Sequence, residues 1–546
     1  MFRIRRGGSR SGGWSRRRAL VLPVVCATLF SVMAFTGWEA RSGSAQTGAS
    51  QASPTVVKTT GGAVRGKAAQ GVRQFNGIRY GQAPVGALRW KAPVAAKAWS
   101  GVKNAQSPGS ACVQTAAAWR PAAASTNEDC LFLNVWTPTR QTQDAKLPVT
   151  VFFHGGGFVN GAGTDVAPAD YVKQGGIVVT VNYRLGSLGW LTLPGLDAEN
   201  KEATSGNYGL LDQELALKWI KANASAFGGD ASKVMVTGQS AGAESICSLL
   251  AAPSAAGLFQ RAIMESSLRC AVNTRAAAQT ADANFAKAAG CTGSDSEIVA
   301  CLRDTPPAEL LDAQKTAGAW RPAVDGTILP KSPTDAFASG DFNKVPVIIG
   351  STQNEGGAFI YEQYDMVTHP ATEAQYIAAV TNSYGTNAPA VLARYPYSRY
   401  VNGSQALAAV RTDSGFSCPA LIHAGSLSAA TTTYVYEFQD TTAPLRSYQL
   451  VPPSFNVGAQ HSADLLYLWG APTLTPLTTK QQALATRMIA YWQHFAATGN
   501  LSAPSLPKIA PYHSTSATEL ALTPNGPRAV TDEAAAHQCS FWDTLA

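Results

Sequence analysis

The chain has 546 residues, 45% hydrophobic and 14% charged, a balance that supports a globular protein with a sizeable core and excludes a disordered one; the absence of tandem repeats excludes a solenoid or propeller. The formal net charge is +8, but residues 1–40 carry +6 of it through seven arginines set against one acid, Glu39. The remainder is nearly neutral and offers no electrostatic basis for binding nucleic acid.

In chain order, the arginines Arg3, Arg5, Arg6, Arg10, Arg16, Arg17 and Arg18 precede an apolar run from Ala19 to Phe35. Small polar residues follow, as in Gly43-Ser44-Ala45-Gln46. This layout predicts a secretory signal peptide over residues 1–45, cleaved between Ala45 and Ala52. An uncleaved anchor is the alternative, because about 17 apolar residues is borderline for a membrane span. Ser15-Arg16-Arg17 also permits a twin-arginine route. Residues 46–55 read as a linker rich in Ser, Gly, Ala and Gln, and residues 56–546 as a single catalytic domain. A secreted, extracellular protein is expected, with no obligate membrane partner after signal cleavage.

Short apolar runs predict buried strands at Val149–Phe153, Ile177–Val181, Lys233–Thr237, Arg261–Met264, Val345–Gly350 and Tyr434–Phe438. Helices are predicted over Asn207–Phe227, with Leu210, Leu211, Leu215, Leu217, Trp219 and Ile220 as its apolar positions, and over Ala241–Ala252. Strands alternating with helices predict an α/β fold with a central, mostly parallel sheet flanked by helices.

Two glycine-rich segments sit at the ends of predicted strands. His154-Gly155-Gly156-Gly157-Phe158 follows the first, where bare backbone N–H groups can approach a substrate oxygen. Preorganised donors of that kind contribute about 3 kcal/mol each in a transition state. Gly238-Gln239-Ser240-Ala241-Gly242 lies between a strand and a helix. A tight turn there forces the serine into a strained conformation and needs glycine two residues to either side. The Ser240 hydroxyl is thereby lifted to a helix N-terminus, whose N–H groups favour a developing oxyanion. A flexible turn and an ordinary strand-to-helix turn are the bland readings of the two segments; a phosphate loop would need a following Gly-Lys-Ser/Thr.

With these motifs the chain resembles the type-B carboxylesterases, the cholinesterase-like α/β-hydrolase family that includes fungal lipases. The resemblance runs from about Val56 to the C-terminus. Its most specific piece is Glu128-Asp129-Cys130-Leu131-Phe132-Leu133-Asn134-Val135-Trp136, joined by Phe75-Asn76-Gly77-Ile78-Arg79-Tyr80, Gly206-Asn207-Tyr208-Gly209-Leu210-Leu211-Asp212-Gln213 and Phe227-Gly228-Gly229-Asp230. The resemblance implies an α/β-hydrolase fold with lid or insert segments and a triad in the order Ser, acid, His. The acid is then Glu355, in Asn354-Glu355-Gly356-Gly357, where the family usually has Asp-Glu-Gly. The histidine is His461, in Gly458-Ala459-Gln460-His461-Ser462-Ala463-Asp464-Leu465, where Asp464 replaces the usual Glu. The oxyanion donors implied are the N–H groups of Gly156, Gly157 and Ala241. The expected activity is hydrolysis of a small-molecule carboxylic ester through a covalent acyl-enzyme, with no cofactor and no metal.

A lipase on longer acyl chains is the alternative enzyme, and the segment Ala358 to Arg399 is its candidate lid, although no clear amphipathic period runs through it. A non-catalytic cholinesterase-like binding protein is the alternative from another class; such members lose a triad residue, and none is missing here. A cholinesterase-type aromatic site is not expected, because the segment between Cys112 and Cys130 is short and has one aromatic residue, Trp119.

Nine cysteines are present, of which Cys26 falls in the signal segment. The other eight are too widely spread for a zinc site and include no Cys-x-x-Cys, and an even number in an exported chain points to disulfides. The family resemblance implies Cys112–Cys130, Cys291–Cys301 and Cys418–Cys539. The resemblance is not used to pair Cys247 and Cys270. Cys247 lies in the helix after Ser240 and Cys270 just beyond the next strand, and in a right-handed βαβ unit the helix runs antiparallel to its strands. The two are therefore expected at the same edge and bonded, the alternative being a buried Cys247 and a free Cys270.

Overall fold

Consecutive side chains of a strand point to opposite faces, and in this protein both faces are covered. Val149, Val151, Phe153, Val234 and Val236 enter one apolar cluster, while Phe152, Met235, Ile263 and Ile348 enter another on the opposite side. This is why the strands read as unbroken apolar runs. The computed structural model describes residues 54–117, 123–140, 145–201, 203–316 and 318–545. The arginine-rich segment, the apolar run after it, the linker up to Ser53 and Trp119 lie outside the described residues.

Eleven strands form the main sheet: β1 (Lys67–Ala69), β2 (Val72–Arg79), β3 (Phe132–Pro138), β4 (Leu147–Phe153), β5 (Ile177–Val181), β6 (Gly229–Gln239), β7 (Arg261–Glu265), β8 (Val347–Thr352), β9 (Thr433–Phe438), β10 (Glu519–Thr523) and β11 (Gly526–Val530). Their spatial order is β11-β10-β9-β8-β7-β6-β4-β5-β3-β2-β1. From β10 to β5 neighbouring strands are parallel, and the pairings at either end are antiparallel. Helices cover the faces, among them α1 (Tyr208–Asn223), α2 (Ala241–Ala251) and α3 (Thr479–Thr498). The architecture is the α/β-hydrolase fold, and the described residues fall in one compact unit.

All six strands expected from the sequence are present; Ile177–Val181 has the expected bounds and the other five are shifted or extended by a few residues at their ends. The predicted Asn207–Phe227 helix divides into α1 and a 3-10 turn over Ala224–Phe227. Helix α3 was not among the expected elements. A capping box between Thr478 and Gln481 starts it, and left-handed Gly499 ends it. Its buried residues Leu484, Met488, Tyr491, Trp492 and Phe495 recur at helical spacing and cover the second cluster.

The segments that carry the resemblance hold this framework together. Arg184 donates to both carboxylate oxygens of Asp212, at 2.8 and 2.7 Å. Arg89 makes a similar two-point contact with Glu128, and both pairs are buried. Asn134 accepts a bond from the N–H of Gly77 and donates to Thr180. All four expected disulfides are formed, Cys112–Cys130, Cys247–Cys270, Cys291–Cys301 and Cys418–Cys539. Among the described residues, no helix is long and apolar enough to cross a membrane. The candidate lid, Ala358 to Arg399, is a set of short helices whose Tyr361, Tyr376, Val380 and Val391 turn inward. They pack on a third apolar cluster that also contains the Cys418–Cys539 bridge.

Candidate active site

The parallel strands end on one edge of the sheet, where open α/β sheets place their ligand sites. Strand β6 passes through Gln239 into α2, and the hinge residue Ser240 has φ 58° and ψ −125°. A non-glycine residue held in that region is strained. The close approach behind it explains the flanking glycines. A Cβ on Gly242 would lie 2.0 Å from the carbonyl oxygen of Phe153, and one on Gly238 2.5 Å from that of Gly242. The N–H of Ser240 donates to the Glu265 carbonyl at 2.9 Å, tying the turn to β7.

The loop after β4 lies against this turn. A Cβ on Gly155 would stand 2.9 Å from the Ser240 Cβ. The His154 ring stacks on Tyr183 at 4.4 Å, and the Tyr183 hydroxyl donates to the His154 carbonyl, fixing the start of the loop. The N–H groups of Gly156 and Gly157 donate to no acceptor among the described residues. Ala241 is the first residue of α2, so its N–H has no intrahelical acceptor. These unspent donors lie on the two segments that meet where Gly155 approaches Ser240.

Glu355 follows β8 and is fully buried. Its Oε1 accepts from the N–H of Thr352 at 2.8 Å, and its Oε2 accepts from Nδ1 of His461 at 2.5 Å. With Nδ1 as donor, the lone pair of the ring lies on Nε2. That atom faces Nε2 of Gln239, the residue before Ser240, at 3.0 Å. Phe359 and Phe416 pack on the His461 ring with centroids at 4.6 and 5.2 Å. Arg411 lies over the outer face of Phe359.

Beneath the turn is a buried polar layer that sequence reading did not anticipate. The Glu265 carboxylate accepts from Thr237, Trp469 and Trp492. Burial, then the charge of Asp464, pushes its pKa up to about 8. Asp464 itself is raised to about 6 by burial and by Glu355, and accepts from Tyr436. Nothing in the sequence marks Glu265 except its position at the end of an apolar strand. Asn354, noted only as a departure from the family pattern, also has a defined part. Its side-chain oxygen accepts from the N–H of Ala459 at 3.2 Å, beside a parallel bridge between Asn354 and Gln460.

The carboxylesterase family model matches residues 53–542. The chain is similar to acetylcholinesterase of Bungarus fasciatus, 31% identical over 531 residues that cover 89% of this chain and 86% of the relative. It is similar to para-nitrobenzyl esterase of Bacillus subtilis, 33% identical over 466 residues, 82% and 90% of the two chains. It is similar to carboxylesterase 1E of Rattus norvegicus, 32% identical over 418 residues, 70% and 72% of the two chains. With an α/β-hydrolase sheet and this match along nearly its whole length, the chain belongs to the carboxylesterase family and is an ester-hydrolysing enzyme.

Proposed function

We propose that the enzyme hydrolyses small carboxylic esters through Ser240, His461 and Glu355 by way of a covalent acyl-enzyme. The observation that carries this reading is the orientation of His461, with Nδ1 bonded to Glu355 and Nε2 turned toward the Ser240 turn. His461 Nε2 takes the proton as the Ser240 hydroxyl attacks the ester carbonyl. The Gln239 amide yields its contact with that lone pair as the hydroxyl engages it. Glu355 holds the tautomer and stabilises the imidazolium. The oxyanion sits among the N–H groups of Gly156, Gly157 and Ala241. His461 then protonates the departing alcohol, and a water activated by the same nitrogen releases the acid.

The inward packing of Tyr361, Tyr376, Val380 and Val391 in the segment 358–399 favours a dissolved ester over a lipid interface. Fluorophosphonate treatment should label Ser240 alone, and Ser240→Ala should abolish labelling and turnover of p-nitrophenyl esters with the fold intact. Full labelling of Ser240→Ala would refute the assignment. With p-nitrophenyl esters of rising acyl length, rates should saturate below the solubility limit; a jump above that limit would favour the lipase reading.

We also infer that the protein is exported, with residues 1–45 as its signal, 46–55 as a linker and 56–546 as the catalytic domain. The arginine-rich start, the apolar run after it and four disulfides support this. N-terminal sequencing of the protein recovered from the culture medium tests it; an intact residue 1 would overturn the cleavage.

A further inference from the structure

Beyond β9 a second cluster of ionisable groups is buried, and the proposed ester chemistry does not use it. It comprises Asp413, Glu437, Glu519, Glu533 and His537, none of them more than 6% exposed. Nδ1 of His537 donates to Asp413 at 2.7 Å. Its Nε2 lies 2.5 Å from Glu437 Oε1 and 4.0 Å from Glu533 Oε2. One donor atom each from Glu437, Glu533 and His537 fall within 4.8 Å of one another. The Gln439 amide donates to the remaining oxygens of Glu437 and Glu533, at 2.8 and 2.6 Å.

Glu519 supplies an independent observation. Ala521 stands opposite Glu437 in the β9–β10 register. Glu519, two residues earlier, therefore faces the same side of the sheet as Glu437. It is 1% exposed, and its Oε1 has no hydrogen-bond partner. Among the described residues, no lysine or arginine pairs with any of the four carboxylates, and the ion pairs that reach them come from His537 alone. Arg528 reaches Gln439 instead. Four buried carboxylates thus share one imidazole, and buried charge without a counter-charge is costly.

We propose that Glu437, Glu533 and His537 form a structural site for one divalent cation of the Zn2+ type, and that the unpartnered Glu519 carboxylate moves in as its fourth donor. A mixed imidazole and carboxylate set suits zinc, whereas Ca2+ and Mg2+ favour all-oxygen shells. Donors at zinc distances stand about 3.3 Å apart in a tetrahedron, so the cluster has to open slightly at His537–Glu437 and close at His537–Glu533. Asp413 behind Nδ1 and Gln439 behind the two glutamates are the outer partners that orient metal-ligating histidines and carboxylates. The alternative is that protons neutralise the cluster. Burial, then Glu437, pushes Glu533 up to about 9 and Glu519 up to about 8. Protons remove the charge but leave Glu519 Oε1 without a partner, which a cation supplies. The site would hold the C-terminal segment to the sheet beside Cys418, whose sulfur contacts the His537 carbonyl at 3.4 Å.

The test uses the full chain, stripped with EDTA and then desalted with Zn2+ or Co2+. One equivalent of Zn2+ should remain bound, the melting temperature should rise, and Co2+ should give the visible bands of a tetrahedral site. Glu533→Gln should weaken Zn2+ retention at least about tenfold while esterase activity persists; Glu519→Gln serves if Glu533→Gln does not fold. His461→Ala should bind Zn2+ as the parent does. No retained metal and no shift in melting would overturn the proposal in favour of protons. Retention unaffected by Glu533→Gln or Glu519→Gln, or lost in His461→Ala, would also overturn it by locating the cation elsewhere.

Discussion

Glu355 and His461 stand 106 positions apart in the chain, yet Nδ1 of His461 donates to Oε2 of Glu355 at 2.5 Å. The contact is assembled by the backbone. Asn354 and Gln460 form a parallel bridge, and the N–H of Asn354 donates to the Ala459 carbonyl at 2.9 Å. Each bridged residue is followed directly by a triad candidate, so the loop after β8 and the loop carrying His461 present their side chains to one another.

Glu355→Gln should fold normally and lose about 10³- to 10⁴-fold in kcat, with KM little changed, because an amide can stabilise neither the required tautomer nor the imidazolium. Steady-state kinetics on p-nitrophenyl acetate, with circular dichroism as the folding control, measure this. Wild-type kcat/KM in the variant would mean that another carboxylate is the third member.

Asn354→Ala removes the side-chain acceptor for Ala459 N–H and should loosen the His461 loop. We expect a fall of about tenfold in kcat, in keeping with the cost of a small displacement of catalytic groups. Asn354→Asp keeps the acceptor and should retain most of the activity. Equal losses in the two variants would discount the clamp.

Gly242→Ala places a Cβ 2.0 Å from the Phe153 carbonyl oxygen, a backbone atom that no side-chain rotation can move aside. Overpacking of this kind costs about 3 kcal/mol, and the shift should also displace Ser240. Urea unfolding should move to a lower midpoint and fluorophosphonate labelling should slow. A variant with parental stability and labelling rate would show that the elbow has slack.

The mature protein, denatured without reductant, should titrate no free thiols. Breaking Cys418–Cys539, which spans 121 positions, by paired serine substitution should cost about 4–5 kcal/mol; breaking Cys247–Cys270, which spans 23, should cost about 3 kcal/mol. Two free thiols, with no linked Cys247–Cys270 peptide in a digest, would refute the second bridge.

Glu244, one turn into α2, is buried, and burial pushes its pKa up to about 8 from 4.5. The folded state therefore binds a proton that the unfolded chain has released, so this contribution is full below pH 4.5 and is lost as pH rises toward 8. His423, lowered to about 4 by burial, acts in the opposite sense, but its contribution is complete above pH 6.5. Between pH 6.5 and 8 the melting temperature should fall, and Glu244→Gln should flatten part of that fall. An unchanged slope in the variant would exclude Glu244 as a source.

The short-range features of this protein were legible in its sequence, because strands covered on both faces leave unbroken apolar runs, and Ser240, Gly156 and Gly157 sit in local patterns whose geometry follows from glycine. The Cys247–Cys270 bridge was also accessible, since the handedness of a βαβ unit fixes which helix end meets which strand end. Glu355 and His461 needed the resemblance, because no local signal distinguishes a buried triad carboxylate from a solvated loop acid. Only the tertiary structure decided that Asn354 and Gln460 bridge, that Gln239 faces His461, that Glu265 lies under the Ser240 turn, and that Glu437, Glu519, Glu533 and His537 converge. Those contacts join residues far apart in the chain, and the pairing of distant segments is set by which strand ends the sheet brings side by side rather than by any periodicity along the chain.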